Sequence, residues 1–297
     1  MRAVVVKELA HHTKIPITKD APEPQTSENQ LLVDVYSTGL NFFDILQAQG
    51  KHQSRPQLPF VLGTEFAGRI SRNSPIPKGC KFNRGDRVFG AGQGAFADKV
   101  AVYPEQLLPL PDILTYDEGA GLYVTWPTSY EGLVGRANMK PGEWVLVTAA
   151  AGGVGIVAVQ LAKLLGGKVI AAAGSNEKME VAKRFGGADF VVDYTKPGWQ
   201  KEVSKITGGK GVDVVYDPVG LIQDTFKCIA WKGRAVVVGF AGGDIEKVPT
   251  NLILLKNISV VGLHWGAYRI HEPGQMDTVW HDILELLKSG YPMPCRH

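Results

Sequence analysis

The segment that most constrains the fold joins an apolar strand, a run of small residues and an apolar helix. Residues 145–148 predict a short buried strand, and residues 156–165 predict a helix with an apolar face. Between them stands the sequence AAAGGVG. Small residues let a backbone approach a diphosphate closely, and the amino end of a helix offers unpaired N–H groups. The segment therefore predicts a dinucleotide-binding loop, for which an ordinary tight turn is the alternative. The loop residues expected at the diphosphate are Ala151, Gly152, Gly153 and Val154.

Composition narrows the class of protein. A chain of 297 residues is long enough for two domains, and its formal net charge of +3 requires neither nucleic acid nor an anionic membrane as a partner. Cys80, Cys228 and Cys295 lie far apart and form neither a metal-binding spacing nor a disulfide framework. No apolar run approaches the roughly 18 residues of a membrane span. A strand begins directly after Met1, which leaves no room for a targeting peptide, so the cytoplasm is the predicted location and mitochondria stay open.

The pattern of elements changes at about residue 120. Residues 1–120 are rich in strands and glycine turns and predict a mostly β domain. Residues 121–265 alternate between helix and strand, which predicts an α/β fold with a doubly wound parallel sheet of six strands. A helix is expected over residues 117–133, interrupted near Pro127. The predicted strands are 145–148, 168–173, 189–192, 212–216, 234–238 and 258–262, and the helices between them are 155–165, 177–185, 198–206 and 221–229.

The end of the second predicted strand bears on the choice of nicotinamide cofactor. A loop that prefers NADH usually places a carboxylate there to bind the ribose hydroxyls. Here the strand is followed by Gly174 and Ser175, and Lys178 lies within one helical turn. A hydroxyl and an ammonium group donate to a 2′-phosphate, and a charge-assisted hydrogen bond contributes about 1.5–3 kcal/mol. The sequence therefore predicts NADPH. In the alternative interpretation Ser175 only caps the helix and Lys178 is a solvated surface charge.

Five motifs spread in order along the chain carry a family resemblance. They are GLNFFD at 39–44, LGTEFAG at 62–68, GDRV at 85–88, AAAGGVG at 149–155 and YDPVG at 216–220. With them the chain resembles the zinc-independent quinone oxidoreductases of the medium-chain dehydrogenase/reductase superfamily. TNLILLKN at 250–257 and GLHWG at 262–266 resemble the quinone oxidoreductase-like subgroup. The resemblance implies a GroES-like catalytic domain over 1–120, a Rossmann domain over 121–265 and a homodimer joined through the Rossmann sheets.

The resemblance also implies roles for individual residues. Asn41 is expected near the nicotinamide, with Asp44 in the same motif. Both are candidate catalytic residues, and in the alternative interpretation both only cap and fix the short helix expected over 40–49. The remaining expected cofactor contacts are Thr125, Tyr194, Gly239, Phe240, Leu263 and His264. For Tyr194 and His264 simple packing is the alternative. Relatives often carry tyrosines shortly after the Asn-x-x-Asp motif, where this chain has Leu46 and His52. His52 is thus a third candidate, as a proton donor with an ordinary pKa near neutrality, or only a loop histidine.

No metal is expected. Zinc members of the superfamily have a cysteine near position 39–40 and a histidine before the glutamate of the Gly-x-Glu motif, where this chain has Gly39, Leu40 and Thr64. A catalytic zinc needs about three protein ligands, and Glu65 alone does not supply them. Without a Lewis acid, hydride transfer to an electrophilic acceptor is the natural reaction, because the cofactor carries the chemistry.

The predicted function is therefore reduction of quinones or α,β-unsaturated carbonyls by NADPH. Two alternatives stay open: an enoyl-thioester reductase, and an NADPH-binding protein with little catalysis and a crystallin-like or RNA-associated role. A basic stripe interleaved with aromatics would favour RNA, and the sequence has none, so neither nucleic acid nor a membrane is an expected partner. By the resemblance, residues 266–297 begin a return to the catalytic domain that ends early, as in a truncated chain.

Overall fold

The structure is a computed structural model that describes residues 1–53 and 55–288. The described chain forms two compact units, Met1–Val124 and residues 125–288. Residues 289–297, with Cys295 and the last part of the expected return segment, lie outside the described residues. Cys80 and Cys228, which lie within the described residues, are free thiols. None of the described helices is both long and apolar enough to cross a bilayer.

The first unit is mostly β, as predicted. Its main sheet is antiparallel with the strand order β7-β3-β5-β6-β8, and a smaller antiparallel sheet has the order β2-β1-β4. The strands are β1 Ala3–Val6, β2 Ile17–Thr18, β3 Leu31–Gly39, β4 Phe60–Val61, β5 Glu65–Ile70, β6 Arg87–Ala91, β7 Lys99–Val102 and β8 Leu107–Pro109; the helices are α1 Phe42–Ala48 and α2 Tyr116–Ala120. Apolar side chains from β3, β5, β6 and β7 form the core of the main sheet.

The second unit contains a parallel sheet of six strands in the order β11-β10-β9-β12-β13-β14. Its strands are β9 Trp144–Val147, β10 Lys168–Ala173, β11 Phe190–Asp193, β12 Val212–Asp217, β13 Ile229–Val237 and β14 Ser259–Gly262. Its helices are α3 Thr125–Glu131, α4 Gly153–Leu164, α5 Asn176–Arg184, α6 Trp199–Ile206, α7 Ile222–Thr225, α8 Thr250–Lys256, α9 Tyr268–His271 and α10 Pro273–Lys288. This order, with its reversal between β9 and β12, confirms the predicted doubly wound fold.

Three predicted elements were wrong in extent, and the first is β13, which begins at Ile229 and not at residue 234. The helix expected over 221–229 is only one turn, Ile222–Thr225, because β13 already begins at Ile229. The break expected near Pro127 instead lies between α2 and α3, at residues 121–124. Pro127 is the third residue of α3, in the first turn, where a helix needs no N–H donor. α3 then continues into a π-helical turn, Gly132–Arg136.

Candidate functional site

The loop between β9 and α4 leaves the amino end of the helix open. Gly152 is the N-cap of α4 and no side chain caps the helix there. Gly152 and Gly153 are exposed, whereas most of the helix that follows is buried. A Cβ on Gly155 would lie 2.3 Å from the carbonyl oxygen of Ala149, so only glycine allows this close turn. The first turn of α4 therefore presents unpaired backbone N–H groups to an anion.

The first turn of α3 packs against this loop. Thr125 is buried, and its Cγ2 would lie 3.2 Å from a Cβ built on Gly153. One turn later, Ser129 donates a hydrogen bond to the carbonyl oxygen of Val154 (2.8 Å), and its hydroxyl lies 3.2 Å from that of Tyr216 on β12. Hydrogen bonds of Ser129 thus connect α3 to the amino end of α4 and to strand β12 of the sheet. Thr125 thus lies beside the glycine loop, its expected contact with the cofactor stays a prediction, and the role of Ser129 was not predicted.

The residues after β10 form the second part of the site. Ser175 is the N-cap of α5, and its Oγ accepts a hydrogen bond from the backbone N–H of Lys178 (3.3 Å). The Lys178 side chain is exposed. A Cβ on Gly174 would lie 3.5 Å from the ring of Tyr194, and burial raises the pKa of that tyrosine. The structure thus brings these four predicted residues together, and Ser175 caps α5 while its side chain is also hydrogen-bonded to Glu177.

The buried carboxylate of Asp217 holds the turn that follows β12. Asp217 accepts hydrogen bonds from Thr148 and from three successive backbone N–H groups, those of Val219 (3.2 Å), Gly220 (3.0 Å) and Leu221 (2.7 Å). Its exposed fraction is 0%. This carboxylate fixes the turn after β12, and its role was not predicted.

Two pairs of predicted residues lie at the ends of the neighbouring strands. Gly239 lies beside the turn after β12, since a Cβ there would be 3.3 Å from the carbonyl oxygen of Pro218. The ring of Phe240 is partly exposed. Leu263 is buried, and its N–H donates to the carbonyl oxygen of Val237 (3.0 Å). His264 follows as an exposed residue. All four therefore lie at the carboxyl edge of the sheet, where ligands of such folds bind.

In the first unit, two buried carboxylates surround Asn41. The backbone N–H of Asn41 donates to Asp44 Oδ2 (2.9 Å), and its side-chain Nδ2 donates to Glu65 Oε1 (2.8 Å). Asp44 Oδ1 accepts from the Thr64 hydroxyl (3.2 Å), and Glu65 Oε2 accepts from the backbone N–H of Val124 (2.9 Å). Asp44 therefore caps α1, as its alternative interpretation predicted, and Glu65 holds the amide of Asn41.

Burial governs the protonation of both acids. It raises the pKa of Asp44 to about 6, with hydrogen bonds from Asn41 and Thr64 acting against the shift. It raises the pKa of Glu65 to about 7, where the neighbouring charge of Asp44 adds to the effect. An acid with a pKa near neutrality is common at functional sites, because it changes charge under working conditions.

Gly39 leaves no room for a side chain beside Glu65. A Cβ at this position would lie 2.3 Å from Glu65 Oε1 and 2.5 Å from the carbonyl oxygen of Ala120. Within residues 1–53 and 55–288, no three His, Cys, Asp or Glu side chains are grouped so as to hold a metal ion. Glu65 therefore occupies the space next to position 39 and uses its oxygens for hydrogen bonds.

His52 lies in the segment after α1. Its ring makes an edge contact with Phe43, with 4.4 Å between ring centroids, and its carbonyl oxygen accepts from Arg55 Nε (3.1 Å).

The hydrogen bond between Glu65 and Asn41 was not predicted, because Glu65 was considered from the sequence only as an insufficient metal ligand. The signal that could have found it is an acid at the start of an otherwise mostly apolar buried strand, since a buried acid requires hydrogen-bond donors.

Comparison with known proteins connects these arrangements to a family. Residues 27–112 match the alcohol dehydrogenase GroES-like domain, and residues 153–285 match the family described as zinc-binding dehydrogenase. Bovine quinone oxidoreductase-like protein 2 is 41% identical over 90% of this chain and 76% of its own length. Human quinone oxidoreductase is 30% identical over 99% of this chain and 91% of its own.

A solved structure agrees with these relatives. Escherichia coli quinone oxidoreductase, crystallised with NADPH, superposes with a TM-score of 0.85 at 29% identity, over 98% of this chain and 89% of that one. The fold, the glycine loop and the relatives lead to one assignment. The chain is an oxidoreductase that belongs to the quinone oxidoreductase family of the medium-chain dehydrogenase/reductase superfamily.

Proposed function

We propose that this protein is an NADPH-dependent reductase that transfers hydride to quinones or α,β-unsaturated carbonyls without a metal ion. The observation that carries the proposal is the uncapped amino end of α4, where exposed Gly152 and Gly153 leave backbone N–H groups open. A diphosphate fits there because no Cβ fills the approach and the helix dipole favours an anion. When bound, NADPH supplies the hydride, and the protein binds, orients and desolvates the reactants.

The preference for NADPH over NADH is proposed to depend on the start of α5. Lys178 is exposed and offers an ammonium group, whereas the side chain of Ser175 is already engaged by the backbone of α5 and by Glu177. Glu177 stands in the same turn, and backbone and Ser175 hydrogen bonds lower its pKa, so its negative charge acts against a phosphate. Lys178 is the cation that outweighs it, since a charge-assisted hydrogen bond contributes about 1.5–3 kcal/mol.

Substituting this lysine tests the preference. Lys178→Ala is expected to raise the Kd for NADPH at least about tenfold and to leave that for NADH within about twofold. Lys183→Ala is the matched control, because Lys183 is an exposed lysine in the last turn of the same helix. Titration of intrinsic fluorescence measures both constants. A wild-type preference for NADH, or equal losses for both cofactors, would contradict the proposal.

The remaining expected contacts complete the proposed cofactor site. They are Thr125, Ala151, Val154, Gly174, Tyr194, Gly239, Phe240, Leu263 and His264, all in the second unit. In the first unit we propose that Asn41 belongs to the reaction site and that Asp44 fixes its backbone. Asn41 is suited to this role because it is partly exposed while its amide is held by a buried carboxylate.

The acceptor is tested by following NADPH oxidation with a small quinone, an enone and a crotonyl thioester. Turnover of the quinone or the enone is the expected result. Turnover of the thioester alone would instead assign an enoyl-thioester reductase. Tight NADPH binding without turnover of any of the three would refute the reductase and favour a cofactor-binding protein.

We also propose a homodimer formed through the parallel sheet. Of the described strands, β14 pairs only with β13, so one edge of Ser259–Gly262 is available to a second chain. Leu254 and Leu255 on the preceding helix α8 are 79% and 68% exposed. An apolar surface beside an open strand edge favours association between copies. Light scattering after gel filtration should give twice the chain mass of 32.2 kDa, and a monomer would refute this proposal.

A further inference from the structure

Glu65 is a buried acid whose two oxygens both face hydrogen-bond donors. Oε1 accepts from Asn41 Nδ2 at 2.8 Å, and Oε2 accepts from the backbone N–H of Val124 at 2.9 Å. The backbone N–H of Tyr123 is a further donor. The exposed fraction of Glu65 is 1%, so water does not replace these partners. Only a group that accepts on both sides satisfies this environment, and Glu65 is such a group in its ionised form, above its raised pKa of about 7.

The partner of Oε1 is a side chain with two possible orientations. The backbone of Asn41 is fixed because its N–H donates to Asp44 Oδ2 (2.9 Å). The amide plane of an asparagine, however, can turn by 180° and exchange its oxygen and nitrogen at little cost in shape. A carboxylate that cannot donate selects one of the two orientations, with Nδ2 toward Glu65. The amide oxygen then faces the other way.

We propose that Glu65 is a positioning residue that sets which face of the Asn41 amide is presented to the reactants. The inference rests on the proposed function only in taking Asn41 as part of the reaction site. Glu65 itself touches neither cofactor nor substrate. It acts through Asn41, because its carboxylate offers Asn41 only an acceptor and so keeps Nδ2, and not the amide oxygen, toward Glu65. The backbone N–H of Val124 holds this carboxylate in place.

Glu65→Gln separates this role from a general need for a buried polar group. Glutamine has the same shape but offers one acceptor and one donor. The N–H of Val124 belongs to the main chain and cannot turn, so Oε1 of the glutamine goes to it. Nε2 then faces Asn41, whose amide must turn to offer its oxygen. Above pH 7, where Glu65 is ionised, the expected result is a loss of kcat of at least about tenfold, with the NADPH Kd within about twofold of wild type.

A double-mutant cycle with Asn41→Ala tests whether Glu65 acts through Asn41. If it does, Glu65→Gln lowers kcat in the wild-type background but has little further effect beside Asn41→Ala. Two losses that multiply would overturn the proposal. The control is Glu118→Gln. Glu118 is another buried acid of the first unit, and Oε2 accepts both the N–H and the hydroxyl of Thr115, bonds that a glutamine oxygen retains.

A second readout does not need activity. In protein labelled with 15N-asparagine, the side-chain amide signal of Asn41 is identified by its loss in Asn41→Ala. It should shift strongly in Glu65→Gln and stay in place in Glu118→Gln. An unchanged signal in Glu65→Gln overturns the positioning role. A chain that reduces none of the acceptors but shows this shift would refute the proposed function alone. Should Glu65→Gln fail to fold, Glu65→Asp takes its place in both experiments, because its shorter carboxylate withdraws the acceptor from Asn41.

Discussion

Asp217→Asn tests the hydrogen bonds that hold the turn after β12. The carboxylate accepts from Thr148 Oγ1 and Val219 N on Oδ1, and from Gly220 N and Leu221 N on Oδ2. Asparagine has one acceptor oxygen. We expect it at the two backbone N–H groups on the Oδ2 side, so its NH₂ group faces Val219. The Thr148 hydroxyl can rotate to accept, but the N–H of Val219 is left without a partner.

The size of the effect follows from these bonds. Losing the Val219 bond costs about 1.5–3 kcal/mol, and the two retained bonds each weaken by about 1 kcal/mol when their acceptor becomes neutral. Burying an amide costs less than burying a carboxylate, which offsets part of the loss. The expected net loss is about 2–4 kcal/mol. In a unit of this size that corresponds to a Tm lower by about 5–15 °C.

Thermal unfolding followed by tryptophan fluorescence measures this change, because Trp144 and Trp199 lie in the same unit. Asp213→Asn is the matched control from the same strand. Its oxygens accept from Trp144 N (2.9 Å) and Lys210 Nζ (2.8 Å), so asparagine retains the first and loses a surface ion pair of at most about 1 kcal/mol. Equal Tm values for Asp217→Asn and Asp213→Asn would refute the assigned role of Asp217.

Three other changes have expected outcomes. Gly155→Ala places a Cβ 2.3 Å from the Ala149 carbonyl oxygen and should weaken NADPH binding at least about tenfold, whereas Gly274→Ala meets no atom within 4 Å and should leave it unchanged. Because the pKa of Glu65 is raised to about 7 from 4.5, the native state binds the extra proton between these values. The Tm of wild type relative to Glu65→Gln should therefore fall as pH rises from 4.5 to 7, and a rising difference would contradict this sign. His52→Gln should lose kcat if His52 supplies a proton, and an unchanged kcat would remove that role.

The sequence predicted the second unit well because its strands are continuous apolar runs. β10, Lys168–Ala173, has the predicted bounds, and β9, β11, β12 and β14 differ by a residue or so at one or both ends. Burial on both faces of a parallel sheet forces this composition, so local pattern and tertiary structure agree. β13 departs more, since Ile229–Val237 includes exposed Trp231 and Lys232, which interrupt the apolar pattern at its start.

The candidate site was predicted where it depends on neighbours in sequence. The loop before α4 and the cap at Ser175 belong to single segments, so their geometry follows from local rules. The bonds of Glu65 do not, because they join residues 24 and 59 positions away. Such pairings are decided by the packing of β5 against other elements, and no spacing in the sequence encodes them.

The fit of Gly39 against Glu65 limits how this scaffold can be re-engineered. A metal-dependent variant would begin with a cysteine at position 39, but any Cβ there would overlap Glu65 Oε1 and the carbonyl oxygen of Ala120. Shortening residue 65 first would free the space beside its carboxylate, yet it would also release the amide of Asn41. A variant with a thiolate ligand at position 39 therefore cannot also keep the present arrangement of Asn41.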